Sequence, residues 1–454
     1  MGRAGSEGAN PTMTISMPRG TYDVLPDEIH RWHYVERVAR DVARRYHFSE
    51  VRTPIFEHTE LFQRGVGETT DIVEKEMYTF TDRKGRSLTL RPEGTAAVVR
   101  SFIEHKVYAQ PQPTKWYYLG PMFRYERPQS GRFRQFVQFG AEVLGADDPS
   151  VDAEIIAMVD DLLQELGIRQ YRLELNSLGC PQCRPRHREA LLAHLRPLRE
   201  ALCADCQSRL ERNPLRILDC KNERCRELTA DTPSILEHLC SACADHFAGV
   251  RKFLDELGIS YIVNPRMVRG LDYYTQTAFE FIAESVGAVG TIAAGGRYNG
   301  LVASLGGQDV PGIGFATGLE RLLAVMAAEG VEPPAPPALD CFVVAVGEES
   351  RTAAVSLLHR LRKAGLAADL DHLNRKVKAQ LKAADRLQAK YVLILGEDEL
   401  SRGTVQLRRM ADGVQEEIPL EAAVERVSMQ SMGDAVEQTL LPMMTGKAGP
   451  GADH

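Results

Sequence analysis

FRYERPQSGRFRQF (Phe123 to Phe136) sets four arginines among aromatic side chains, around a Pro-Gln-Ser-Gly turn. The stretches on either side, KWYYLGPMFRYE before it and FRQFVQFGAEVLG after it, read as strands joined by this loop. So charged a run makes a poor core. It suits either a solvated, ion-paired surface hairpin or a grip on phosphate oxygens, because guanidinium offers a fixed fork of donors and keeps its charge. A second arginine motif, RGLDYYT (Arg269 to Thr275), and a third, GIGFATGLERL (Gly312 to Leu322), favour a nucleotide site. A hairpin of this kind can set Arg124 on an α-phosphate and Phe136 under a purine ring, with Arg321 reaching terminal phosphates. The sequence holds no Walker-type GxxxxGKS or GxxxxGKT and no kinase signature set, so the grip is of another kind.

Around the hairpin, short strand signals cluster: SLTLRP, DYYTQTAFEFIAE and TIAAGGRY. Several alternate apolar and polar residues and are divided by short turns, which favours antiparallel pairing. Helices are expected at Ile29 to Tyr46, with Pro26 near its start, and at Ser150 to Leu166. The fold class is therefore α+β, an antiparallel sheet flanked by helices over residues 17–330. A helix-like stretch rich in Arg and Cys, 179–258, reads as an insertion between the halves of the sheet. The Pro-rich segment 331–338 (EPPAPPA from Glu332) reads as a linker. Beyond it, 339–428 alternates strands (CFVVAV, AADLD, YVLILG, TVQLRRM) with helices, as in a mostly parallel α/β sheet. Residues 429–454 read as a flexible tail.

The 454 residues, 44% hydrophobic and 26% charged, suit a soluble globular protein of several domains. A net charge of −7 argues against nonspecific, charge-driven nucleic-acid binding. Local basic faces remain, chiefly Arg375, Lys376, Lys378, Lys382, Arg386 and Lys390. No apolar run approaches the roughly 20 residues that span a bilayer. MGRAGSEGANPTMTIS lacks an apolar signal core, so a cytoplasmic location is expected. Residues 1–16 read as a disordered leader, although MGRAGS also fits an N-myristoylation pattern.

Eight of nine cysteines fall in the insertion. Cys180, Cys183, Cys203 and Cys206 form C-x2-C-x19-C-x2-C, and Cys220, Cys225, Cys240 and Cys243 form C-x4-C-x14-C-x2-C. These spacings suit two structural Zn2+ sites, or else reduced thiols without metal; four thiolates would leave no open position for catalysis. Cys341, in an apolar strand, is expected in a core.

In order along the chain, these motifs resemble those of a known family. FRYERPQSGRFRQF resembles motif 2 of class II aminoacyl-tRNA synthetases, GIGFATGLERL their motif 3, and VRTPIFEHTELFQRGVG (Val51 to Gly67) their dimer-forming motif 1, with Pro54 in place. RGLDYYT and AGGRYNGL (Ala294 to Leu301) are similar to the two signatures of histidyl-tRNA synthetases, and 339–428 resembles the family's anticodon-binding domain.

The resemblance implies ATP-dependent ligation of L-histidine to tRNA(His) through histidyl-adenylate, with Mg2+ as cofactor, in a homodimer. It implies catalytic roles for Arg124 and Arg269, on the carboxylate and α-phosphate from two sides, and ATP contacts from Arg124, Glu126, Arg132, Phe136 and Arg321. Glu142 and Tyr274 match positions for the imidazole; Glu93, Thr95 and Gln138 match those for the α-amino group, with Gly94 between and Tyr273 lining the pocket. Gln129 matches a position near the tRNA acceptor end, and Gly295 and Gly296 would admit a close backbone approach to substrate. The rival reading is a non-catalytic regulatory subunit of ATP phosphoribosyltransferase. Such paralogues would be expected to lose RGLDYYT and the C-terminal module, and both are intact here.

Overall fold

The computed structural model describes residues 15–444 apart from 68, 69, 71, 128–130, 286–289 and 337. The expected leader therefore lies outside the described residues up to position 14, and Gln129 lies outside them as well. The chain forms two compact units, Met1–Pro334 and Ala335–His454.

The first unit is built on eight strands: β1 (Ser49–Glu50), β2 (Thr114–Phe123), β3 (Gln135–Leu144), β4 (Tyr171–Ser177), β5 (Ile262–Val263), β6 (Thr275–Ala283), β7 (Thr291–Arg297) and β8 (Gly312–Gly318). Their order is β1-β2-β3-β8-β7-β6-β4-β5, and only the outermost pairs, β1 with β2 and β4 with β5, are parallel. The arginine-rich loop joins β2 to β3, which pair from Thr114 opposite Leu144 to Phe123 opposite Gln135. Strand β4, YRLELNS, and strand β8, GIGFATG, are additions to the strands expected from sequence.

One face of this sheet packs on helices Ile29–Arg45, Pro149–Glu165 and Leu319–Ala328. Phe139, Ala141, Val143, Phe279, Phe281, Ile313 and Phe315 meet Val35, Val42, Ile156, Val159 and Leu322 there. Side chains alternate across a strand, so Gln138, Gly140 and Glu142 of β3 face the other way. Burying one such aliphatic side chain is worth about 1.5–3 kcal/mol. A one-residue slip would exchange these for Gln138 and Glu142, which pins the register.

SLTLRP corrects one expectation. Ser87–Leu90 leaves the main sheet and pairs instead with Phe56–His58 and Thr79–Thr81 in a separate three-stranded sheet. Its alternation reports a half-buried strand but not the partner.

In the second unit, strands Ala368–Leu370, Cys341–Val346 and Tyr391–Gly396 are parallel neighbours, followed by the antiparallel Thr404–Arg409 and Gln415–Pro419. Cys341 and Val343 face helix Glu348–Lys363, while Phe342 and Val344 face helix Val377–Arg386. Cys341 is fully buried. Within the expected tail, the residues up to Met444 belong to helix Ala423–Met444 and Ser431 donates to Asp340 Oδ1 at 2.8 Å, while 445–454 lie outside the described residues.

Candidate active site

The face of the sheet turned away from the helices holds a cavity of about 350 Å³. Glu93, Thr95, Arg124, Glu126, Arg132, Phe136, Gln138, Glu142, Arg269, Tyr273, Tyr274 and Arg321 all line it. Residues more than 200 positions apart meet because β2, β3, β8, β7 and β6 are consecutive in the sheet.

The centre of one part is Glu142. Thr95 Oγ1 donates to its Oε1 at 2.6 Å, and Tyr298 Oη donates to its Oε2 at 2.6 Å. Burial raises the Glu142 carboxyl to about 8; the hydroxyls of Thr95 and Tyr298 pull it down, and nearby Glu93 pushes it up. Tyr273 and Tyr274 close the wall, their ring centroids 4.8 Å apart. Gln138 Oε1 is buried with no hydrogen-bond partner among the described residues, an acceptor aimed at whatever fills the space.

Glu93 does more than was expected of it. Its carboxylate accepts from Thr95 N at 2.7 Å and Ala96 N at 2.9 Å, capping helix Thr95–Glu104 and orienting Thr95 toward Glu142. Gly94 is not among the lining residues; a Cβ there would collide with the Tyr118 ring, so its place is behind the wall. Gly314 faces Glu142 across the β3–β8 pair, where a Cβ would strike the carboxylate.

The glycine expectation in β7 needs correction. Gly295 and Gly296 do not line the cavity; added Cβ atoms there would meet Gly314 O and Phe279, or Thr277 O. Their smallness serves close strand packing. The adjoining Arg297 is wholly buried, ion-paired with Asp152 at 2.6 Å.

The other part of the cavity is cationic. Arg124 Nε donates to Pro92 O at 2.8 Å, and its guanidinium lies 5.4 Å from the Phe136 ring centre. Glu126 lies 3.7 Å from Arg124 and 3.3 Å from Arg132. Arg321, in the first turn of its helix, donates to Thr291 O. Burial, then the charges of Arg132 and Arg124, hold Arg321 below the ordinary guanidinium value. Three cations so close, with Glu126 beside them, make a seat for a polyanion.

Arg269 enters from the β6 side. It ion-pairs with Glu280 and lies 5.0 Å from the Tyr274 ring centre. Burial opposes its charge, but Tyr274 and Glu280 outweigh that, so the proton is held more tightly than usual. Its Nε is buried without a partner among the described residues.

Sequence reasoning passed over Tyr298, Glu280 and Glu320. Tyr298 was visible inside AGGRYNGL but had no assigned role. Glu320 accepts from Tyr22 Oη at 2.8 Å and Val137 N at 2.9 Å, tying the hairpin to the segment before the first helix. Nothing local marks those partners.

The cysteines also group differently from the consecutive sets expected. Cys180, Cys183, Cys240 and Cys243 form one cluster, and Cys203, Cys206, Cys220 and Cys225 the other. The reason is mechanical. Helix Cys183–Leu195 separates the first two pairs and, at 1.5 Å per residue, carries the chain roughly 20 Å away before Cys203.

The sheet order, the arginine hairpin and the glycine-rich strand leading into the Arg321 helix define a class II aminoacyl-tRNA synthetase. Residues 20–322 match the family described as Histidyl-tRNA synthetase, and 340–430 match Anticodon binding domain. The chain is 57% identical over 416 residues to a histidine–tRNA ligase of Geobacillus sp. (strain WCH70), covering 91% of this chain and 98% of that protein. It is 53% identical over 424 residues to the Bacillus subtilis (strain 168) histidine–tRNA ligase, covering 93% and 100%. The crystal structure of apo S. aureus histidyl-tRNA synthetase superposes with a TM-score of 0.78 at 44% identity, covering 91% of this chain and 100% of that one. The chain belongs to the histidyl-tRNA synthetase family.

Proposed function

We infer that this chain activates L-histidine with ATP and transfers it to the 3′ end of tRNA(His). The observation that carries the reading is one cavity with a carboxyl held by two hydroxyls in one part and three clustered arginines in the other. The imidazole N–H donates to Glu142, and the α-amino group meets Gln138 Oε1. A site built to hydrogen-bond both ends of histidine rejects apolar analogues, whose binding would leave its own buried polar atoms unpaired.

The substrate carboxylate attacks the α-phosphorus, forming histidyl-adenylate and releasing pyrophosphate. Arg124 and Arg269 hold the carboxylate and the α-phosphate oxygens from two sides, stabilising negative charge as it gathers on the pentavalent phosphorus. Phe136 supports the purine, and Arg132 and Arg321 bind the outer phosphates. Glu126, a carboxylate among these arginines, fits the Mg2+ that accompanies ATP and that shields phosphate charge when bound.

For tRNA, Arg209, Arg212 and Arg216 of the insertion line a second pocket of about 200 Å³ with Gly270 and Asp272, which supports acceptor-end binding there. In the second unit Arg375 and Lys390 are tied to Asp371 and Asp340, whereas Lys376, Lys378, Lys382 and Arg386 are exposed, which supports contact with the anticodon arm. Exposed Ile55, Phe56 and Phe80 on the motif 1 side support the homodimer. The two cysteine clusters suit structural Zn2+. A regulatory, non-catalytic role would leave Arg269, Tyr274 and the anticodon-binding match without use.

Histidine-dependent exchange of labelled pyrophosphate into ATP, followed by charging of tRNA(His), tests the reading. Absence of exchange at saturating histidine and ATP would sink it.

A further inference from the structure

Each cysteine cluster has the dimensions of a single metal ion's shell. Cys180 Sγ lies 3.6 Å from Cys183 Sγ and 3.9 Å from Cys240 Sγ, and Cys203 Sγ lies 3.8 Å from Cys220 Sγ. All four sulfurs of each set fall within 4.8 Å of one another. A tetrahedron with Zn–S bonds of about 2.3 Å has edges of about 3.8 Å. Amide N–H groups also point at sulfur, as in thiolate sites: Cys240 N at 3.2 Å from Cys183 Sγ, and Cys203 N at 3.2 Å from Cys225 Sγ.

We propose that both clusters are tetrathiolate Zn2+ sites, and that the one made by Cys180, Cys183, Cys240 and Cys243 positions the histidine pocket. The second half rests on the reading of that pocket given above. Cys183 is followed by Arg184, whose guanidinium donates to the carbonyls of Tyr274 and Leu178. Leu178 N donates to Gln276 O at 2.6 Å, and Gln276 N donates to Gly179 O at 3.0 Å. The ligand-bearing segment is thus clipped to the strand start that carries Tyr274. Gly179 has φ +63, and a Cβ there would lie 2.7 Å from Cys183 Cβ, so the turn into the cluster requires glycine. Four thiolates on Zn2+ leave a net double negative charge, and Arg184 is the adjoining cation. The metal would fix Cys183, the residue next to Arg184, and Arg184 anchors the Tyr274 backbone. It is a positioning residue.

The other cluster has a different duty. Cys203, Cys206, Cys220 and Cys225 stand in the insertion's own apolar core with Leu195, Leu202, Leu210 and Ile217. That zinc holds the insertion together without touching the histidine pocket.

Elemental analysis of the full-length chain after dialysis against EDTA is expected to give two zinc ions per chain. Cys243→Ser and Cys206→Ser are each expected to retain one, and Arg184→Gln both. In pyrophosphate exchange, Arg184→Gln and Cys243→Ser raise the KM for histidine about tenfold with the KM for ATP nearly unchanged, while Cys206→Ser leaves both near wild type. Less than half a zinc per chain, or iron in its place, overturns the metal assignment. Full zinc with an unchanged histidine KM in Arg184→Gln overturns the positioning role alone. Wild-type protein with full zinc but no histidine-dependent exchange overturns the pocket reading and the positioning role with it.

Discussion

Tyr298 donates its hydroxyl to Glu142 Oε2 at 2.6 Å, across 156 residues of sequence. With Thr95 on the other oxygen, the pair fixes the plane of a buried carboxyl in the cavity. The arrangement explains the orientation of Glu142, whereas its unusual affinity for a proton comes from burial, against which the two hydroxyls pull.

That affinity has a measurable consequence for the ligand-free protein. Glu142 sits at about 8 against an ordinary 4.5, so the folded state keeps a proton that the unfolded chain releases. The sign follows: this group's stabilising contribution is fully present below 4.5 and is lost as pH rises toward 8. Glu142→Gln removes the ionisation. Its unfolding free energy should gain on wild type steadily from pH 5 to about 8 and then hold level, at up to about 1.4 kcal/mol per pH unit. A difference that does not change with pH would mean that Glu142 is already ionised when folded.

Removing the Tyr298 hydroxyl tests the same pair from the other side. Tyr298→Phe should raise the KM for histidine by about tenfold, since leaving a buried acceptor without its partner costs about 1–3 kcal/mol. The KM for ATP should stay put. Glu142→Ala should show the same selectivity more strongly. Equal effects on both substrates would move Glu142 out of the imidazole pocket.

Arg269→Ala should lower adenylate formation by at least about a hundredfold in single-turnover measurements, because it removes charge stabilisation made chiefly in the transition state. Arg269 is not part of the sheet's apolar core, so the melting curve should remain cooperative. Near-wild-type exchange would refute its catalytic role.

Arg297 makes the contrasting case of a motif arginine that is structural. It is fully buried, bound to Asp152 and to the carbonyls of Ala146 and Asp148. Arg297→Met should cost about 3–5 kcal/mol in denaturant unfolding by stranding the Asp152 charge. A loss below 1 kcal/mol would show that Asp152 finds another partner or a proton.

Arg297 also marks the limit of what sequence could reveal. Arginines in RGLDYYT, the hairpin and AGGRYNGL look alike on paper, yet two sorts line a cavity and one is walled into the core. SLTLRP and the alternating strands look alike too, and the first belongs to another sheet. The CxxC pairs were legible as metal-type motifs, but their partners were not, because a helix between pairs sends the chain to a distant place.

Sequence by itself determined the alternation of β2, β3 and β6, the bounds of helices Ile29–Arg45 and Pro149–Glu165 to within a residue, and the family through ordered motifs. These are properties of neighbouring residues, set by side-chain size, periodicity and backbone preference. Tertiary structure alone decided that Tyr298 and Thr95 share Glu142, that Glu280 takes Arg269, and that cysteine pairs close in nested order. Those choices depend on which strands lie side by side, and strand order follows from burying one common apolar face, a demand that no short window of residues can express.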